Sequence, residues 1–160
     1  VSRRSSGGAS VRAAGRPCTV TVCRGCCCGS PKRGADAVAA AREQAELLRA
    51  AAGEGDARFE LRVSDCLGPC DHADVVVVQP STAGRLRGGR PVWIGWSTAQ
   101  GCTDDLLAWV AAGGPGLAPL PPALELQTFR PPRAGLPGRR ESATARLRSG
   151  ATPRGIAQQA

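Results

Sequence analysis

The sequence contains no methionine, no tyrosine and one histidine, and its aromatic residues are three tryptophans and two phenylalanines. Its longest unbroken run of valine, leucine or isoleucine is residues 75–78, four valines. A bilayer span needs about 18–20 apolar residues in a row, so a membrane-spanning chain is excluded as an expectation. Arg3 and Arg4 are followed by Ser-Ser-Gly-Gly-Ala-Ser-Val-Arg. That stretch has no apolar h-region, so an exported protein is not expected and a cytoplasmic one is. Eight cysteines in 160 residues, or 5 %, fall below the ~8–10 % of a small disulfide scaffold. There is also no phosphate loop of the G-x-x-x-x-G-K type, no paired-carboxylate motif and no Ser/His or Cys/His arrangement. The expectation is that the chain is not itself an enzyme.

What is abundant is positive charge, formally +8, and it is unevenly placed. Residues 1–17 carry Arg3, Arg4, Arg12 and Arg16 with no acid. Residues 130–160 carry seven arginines against Glu141. Both ends are poor in apolar residues and read as disordered basic tails, since they cannot offset the entropy of ordering. Residues 18–129 hold ten basic and twelve acidic side chains, so the folded part is slightly negative. The tails contain no aromatic residue to stack on a base and no reading module, so specific nucleic-acid binding is not expected.

Between the tails, Cys18–Cys23 alternates β-branched residues and reads as a strand. Val38, Ala41, Ala45, Leu48 and Ala52 recur at helical spacing within residues 35–52. Gly53-Glu54-Gly55 reads as a turn. Residues 58–63 alternate as a half-buried strand. Residues 75–78 suit a strand covered on both faces, and residues 91–96 suit a further strand. Residues 85–90 read as a hairpin turn, and Thr103 as the cap of a helix through 104–110. The order β-α-β-β-β-α predicts an α/β fold with a central mixed sheet and flanking helices. The predicted units are a domain at 18–114, a Pro-rich extension at 115–129 that packs by its leucines, and the tails. Trp93, Trp96 and Trp109 are expected in the core.

Six cysteines fall in two loops, each directly after a strand. The first is Cys23-Arg24-Gly25-Cys26-Cys27-Cys28-Gly29 and the second Cys66-Leu67-Gly68-Pro69-Cys70. Cys18 and Cys102 read as buried structural thiols. Gly and Pro beside the other six are turn chemistry rather than core. Adjacent cysteines cannot easily pair, because neighbouring Cα atoms lie ~3.8 Å apart and a relaxed disulfide needs ~4.4–6.8 Å. A metal centre explains two convergent loops better. Four thiolates suit an iron–sulfur cluster or a four-cysteine zinc site. A third reading, a dithiol oxidoreductase using Cys23-x-x-Cys26, lacks the helix start that would activate the second thiol. His72, beside Cys70, reads as a loop residue. Asp65, Asp71 and Asp74 read as a solvated loop or a docking face for a basic partner.

The pattern Val22-Cys23-x4-Cys28, then Ser64-Asp65-Cys66-Leu67-Gly68-Pro69-Cys70, then the valines at 75–78, resembles the thioredoxin-like 2Fe–2S ferredoxins. These include the small 2Fe–2S subunit of NADH dehydrogenase and stand-alone actinobacterial ferredoxins. The resemblance covers about residues 18–112. It implies a thioredoxin-like fold, a 2Fe–2S cluster on Cys23, Cys28, Cys66 and Cys70, and single-electron transfer between redox protein partners such as a reductase and an oxidoreductase. A homodimer is also compatible with it. Cys26 and Cys27 are extra to the family pattern and compete with Cys28 for the second ligand position. The contrasting function is a zinc-stabilised interaction module with Arg-rich arms.

Overall fold

A computed structural model describes residues 15–25, 27–53 and 58–131. The two tails beyond these limits, Cys26, and the turn expected at Glu54 and Gly55 lie outside the described residues. The elements are β1 (Cys18–Cys23), α1 (Ala35–Gly53), β2 (Phe59–Ser64), β3 (Val76–Gln79), α2 (Thr82–Leu86), β4 (Val92–Ile94), α3 (Cys102–Ala111), α4 (Pro122–Glu125) and β5 (Thr128–Phe129). Short 3-10 turns form at Pro31–Arg33 and Cys70–His72.

The strands form one mixed sheet of five in the order β2-β1-β3-β4-β5. β1 and β2 are parallel, with Cys18 opposite Phe59 and Cys23 opposite Ser64. A parallel pair needs a long crossover, and α1 supplies it. The other neighbours are antiparallel. The expected α/β architecture is therefore observed.

Side chains of a strand alternate between faces, and here the alternation separates two apolar clusters. Cys18, Val20 and Val22 of β1 join Val76 and Val78 of β3 and Ile94 of β4. With Leu48 of α1 and Leu106, Trp109 and Val110 of α3, they make the main core. The next residues along, Cys23, Val75 and Val77, face the other way and cluster with Cys28, Leu67, Trp93 and Phe129. Residues 75–78 are thus buried on both faces, as four consecutive valines predict.

Three local expectations fail. Residues 82–86, overlapping the start of the expected hairpin turn at 85–90, form α2, capped by Ser81, whose hydroxyl accepts from Gly84 N at 3.0 Å. Thr103 does not cap α3. Gly101 takes that place in the left-handed region (φ 79°), and the Thr103 hydroxyl accepts from Gln44 instead. The Pro-rich extension at 115–129 packs on the core through Leu124, which is fully buried, while Pro122 and its neighbours turn into α4 and Phe129 pairs with Trp93 across β4 and β5. Of the tryptophans, Trp109 is buried, Trp93 half-buried and Trp96 45 % exposed, so Trp96 is not core.

Candidate metal centre

Both cysteine loops leave the same end of the sheet, because β1 and β2 run in parallel and finish side by side at Cys23 and Ser64. Backbone bonds clamp the ends together. Cys23 N donates to Val75 O and Arg24 N to Ser64 O, both at 2.9 Å. The loops then approach so closely that a Cβ on Gly25 would run into the Asp65 backbone, and within the first loop a Cβ on Gly29 would run into the Arg24 carbonyl. These glycines are required by proximity, without any unusual φ.

The described cysteines of the two loops differ in exposure. Cys23 and Cys28 are buried in one cluster, Cys66 and Cys27 are exposed, and Cys70 is intermediate. Cys66 Sγ and Cys70 Sγ lie 3.9 Å apart, and Cys23 Sγ lies 3.7 Å from Asp65 O. Burial pushes the Cys23 thiol up to about 11. A backbone hydrogen bond from Leu67 works against that rise, while the Cys28 side chain and charge on Cys28 and Cys66 add to it. The two loops therefore carry five described thiols, Cys23, Cys27, Cys28, Cys66 and Cys70, a donor type that suits soft metals. Among the described residues, no three of His, Cys, Asp and Glu converge as a ready single-ion site.

Cys18 and Cys102 stay away from the loops and are buried, as structural thiols should be. Burial pushes Cys18 up to about 11, and it also raises Cys102. Among the described residues no disulfide forms. His72 sits in the second 3-10 turn and stacks on Phe129, ring centroids 3.8 Å apart, with Trp96 edge-on.

The acidic residues of the second loop do not form one surface. Asp65 and Asp71 are exposed, but Asp74 is only 1 % exposed and belongs to no surface patch, which corrects the expectation for it. Its carboxylate accepts from Arg33 Nη1 at 2.5 Å, Arg33 Nη2 at 2.8 Å and the Thr98 hydroxyl at 2.8 Å. Arg33 Nη1 also donates to Cys28 O at 3.1 Å, so this forked pair joins the end of the first loop to the exit of the second.

Beside it runs a second set of bonds that sequence reasoning missed. Arg24 Nη1 donates to Cys23 O at 2.8 Å and Nη2 to Gln44 Oε1 at 2.5 Å. Gln44 Nε2 donates to Ser97 O at 2.7 Å and to Thr103 Oγ1 at 3.2 Å. The Ser97 hydroxyl donates to Asp74 O at 2.5 Å. The available signal was Gln44 itself, a polar residue one position from Ala45 on the buried stripe of α1.

No helix among the described residues is long and apolar enough to cross a membrane. No curated protein and no solved structure matches the chain. The family of thioredoxin-like 2Fe–2S ferredoxins matches residues 10–90, a span of 81 of the 160 residues that includes both cysteine loops and the first three strands. The chain therefore belongs to the thioredoxin-like 2Fe–2S ferredoxins, a family of electron carriers with this α/β fold.

Proposed function

We propose that Cys23, Cys28, Cys66 and Cys70 together hold one 2Fe–2S cluster, through which the protein passes single electrons between larger redox proteins. The observation that carries this reading is the 3.9 Å separation of the Cys66 and Cys70 sulfurs. Metal–thiolate bonds of ~2.3 Å at a tetrahedral angle put two sulfurs on one metal roughly 3.8 Å apart. Cys23 and Cys28, clustered on the buried side, supply a second pair for a second iron. When bound, such a cluster supplies a one-electron couple; one electron enters from a reduced partner and one leaves to an oxidised one.

The rest is done by this chain. The Leu67 backbone group already works toward the charged form of Cys23, the direction a ligand thiolate needs. Val75, Val77, Trp93 and Phe129 shield the buried pair from water. Exposed Cys66 and half-buried Cys70 leave the other pair facing outward, where a partner can approach. Asp65 and Asp71 lie exposed beside it and favour a partner with a basic face.

The test is anaerobic purification followed by iron, sulfide and zinc analysis and a visible spectrum. The expected result is brown protein with about two irons and two acid-labile sulfides per chain. Colourless protein with about one zinc per chain overturns the proposal and leaves the zinc module. Serine replacement of Cys23, Cys26, Cys27, Cys28, Cys66 and Cys70 in turn then assigns the ligands. Cys28→Ser should change the spectrum, and Cys26→Ser and Cys27→Ser should not.

A further inference from the structure

Two guanidiniums stand behind the first cysteine loop, and the fold treats their charges differently. Arg33 is neutralised by the carboxylate of Asp74 through two hydrogen bonds. Among the described residues Arg24 has only neutral oxygens as hydrogen-bond partners, the Cys23 carbonyl and the Gln44 side chain. Its Nε is buried with no hydrogen-bond partner. Among the described residues the ion pairs are Arg33–Asp74 and Arg62–Glu60, so Arg24 lacks a paired carboxylate. Gln44 is itself held by Ser97 and Thr103, which fixes the guanidinium in place. Arg24 and Cys28 line one cavity of about 240 Å³, whose apolar wall is Val38, Ala41 and Ala45 of α1.

Arg24 is half-buried, and a cation partly withdrawn from water without a counter-charge is unfavourable. The groups that oppose this are Asp74, then Cys28 and Cys23. Asp74 is already matched by Arg33. Glu46 lines the same cavity but has Arg42 and Arg49 one helical turn away on either side, so the negative charge left for Arg24 is that of the cysteine thiolates and whatever they bind.

We infer that Arg24 is a fixed counter-charge for the sulfur centre, favouring its reduced, more negative state and so raising its reduction potential. This rests on the reading that Cys23 and Cys28 are among the cluster ligands. Reduction adds one electron from the donor; no bond of Arg24 forms or breaks, and the guanidinium keeps its proton throughout. Arg24 is a positioning residue in that it acts through the charge of the ligands and touches no partner. A unit charge on the order of 10 Å away, at an effective dielectric of about 20, changes a one-electron equilibrium on the order of tenfold.

The experiment is a mediated redox titration of the full-length, cluster-loaded protein, followed by its visible spectrum. It compares wild type, Arg24→Gln, Arg24→Lys and the double variant Arg33→Gln/Asp74→Asn. At the wild-type midpoint, the reduced-to-oxidised ratio of Arg24→Gln should fall about tenfold, a shift of ~59 mV for one electron. Arg24→Lys keeps the charge, and the double variant removes a neutral pair. Both should stay within about threefold of wild type. The potential is read only from molecules that carry the cluster, so partial loading does not affect it. Complete loss of the cluster from Arg24→Gln alone, with Arg24→Lys at the wild-type potential, also supports the charge role. An Arg24→Gln ratio within about twofold of wild type overturns the inference, and so does loss of the cluster from both Arg24 variants. Wild-type protein without two irons and two sulfides overturns instead the cluster reading on which the inference stands.

Discussion

Asp74 is the side chain whose loss should cost the fold most per atom removed. Its carboxylate, 1 % exposed, takes three hydrogen bonds, two from Arg33 and one from Thr98. Removing one member of a buried ion pair costs roughly 3–5 kcal/mol, mostly because the other is left uncompensated. The Arg33 side chain is 24 % exposed, so water can recover part of that, and about 2–3 kcal/mol remains. The backbone adds to it. Asp74 has φ 36°, a left-handed conformation that Asp and Asn tolerate better than Ala. Asp74→Ala should therefore lose about 3 kcal/mol, a fall of roughly 12 °C in Tm for a domain of this size. Asp74→Asn, which keeps the shape and the tolerance of positive φ, should lose about half as much. Urea unfolding of the full chain followed by far-UV circular dichroism measures both. Arg33→Gln combined with Asp74→Asn should cost less than the sum of the singles, since neither leaves a charge behind. An Asp74→Ala loss below about 1 kcal/mol would mean that the pair behaves as an exposed one, and the account of how the two loops are joined would be wrong.

Other substitutions probe other layers. Gly25→Ala places a Cβ against the Asp65 backbone and should cost ~1–3 kcal/mol while loosening the second loop. Lower iron retention at equal protein concentration is the readout. Leu48→Ala opens the main core at a residue with 0 % exposure and should cost ~2–5 kcal/mol in the same urea assay. Cys18 gives a pH signature. Its folded value is raised from 9.0 to about 11, so the unfolded chain loses this proton first as pH rises. The stability from the buried thiol is full below about pH 9 and lost as pH climbs toward 11. Urea midpoints at pH 8 and pH 10.5 should differ by less in Cys18→Ala than in wild type, with Cys23 and Cys102 keeping the remainder; equal differences in the two proteins would refute this.

Much of the architecture can be read from short-range pattern. The alternation in Cys-Thr-Val-Thr-Val-Cys places β1 at its observed bounds, and the spacing of Ala41, Ala45 and Leu48 locates the buried face of α1. The cysteine loops are legible because turn residues and thiols stand directly after strands. What escapes is set by distant partners. α2 contains Gly84, which is a poor helix former, yet a Cβ there would strike the Pro115 carbonyl, so tertiary contact chooses the residue. Thr103 has the chemistry of a cap, but the buried amide of Gln44 claims its hydroxyl. β5 exists through its pairing with β4, and two residues carry no periodic signal of their own. Asp74 is close in sequence to Asp65 and Asp71, but Ala73 and Asp74 both adopt positive φ and Asp74 is turned inward. The pairing of the thiols is a matter of distance that spacing alone cannot supply.

Neighbouring valines at 75–78 answer to different constraints: Val76 and Val78 of β3 to the helices, Val75 before it and Val77 within it to the sulfur loops. The strand therefore acts as a partition one backbone thick. Volume changes on the helical side are met by α1 and α3, and the link from there to the sulfur loops runs through Gln44 and Arg24. The loops, emerging beyond the last paired residues, can lengthen or shorten without shifting strand register. A fold divided in this way can take substitutions at exposed loop positions, Cys27 among them, without loss of its main core.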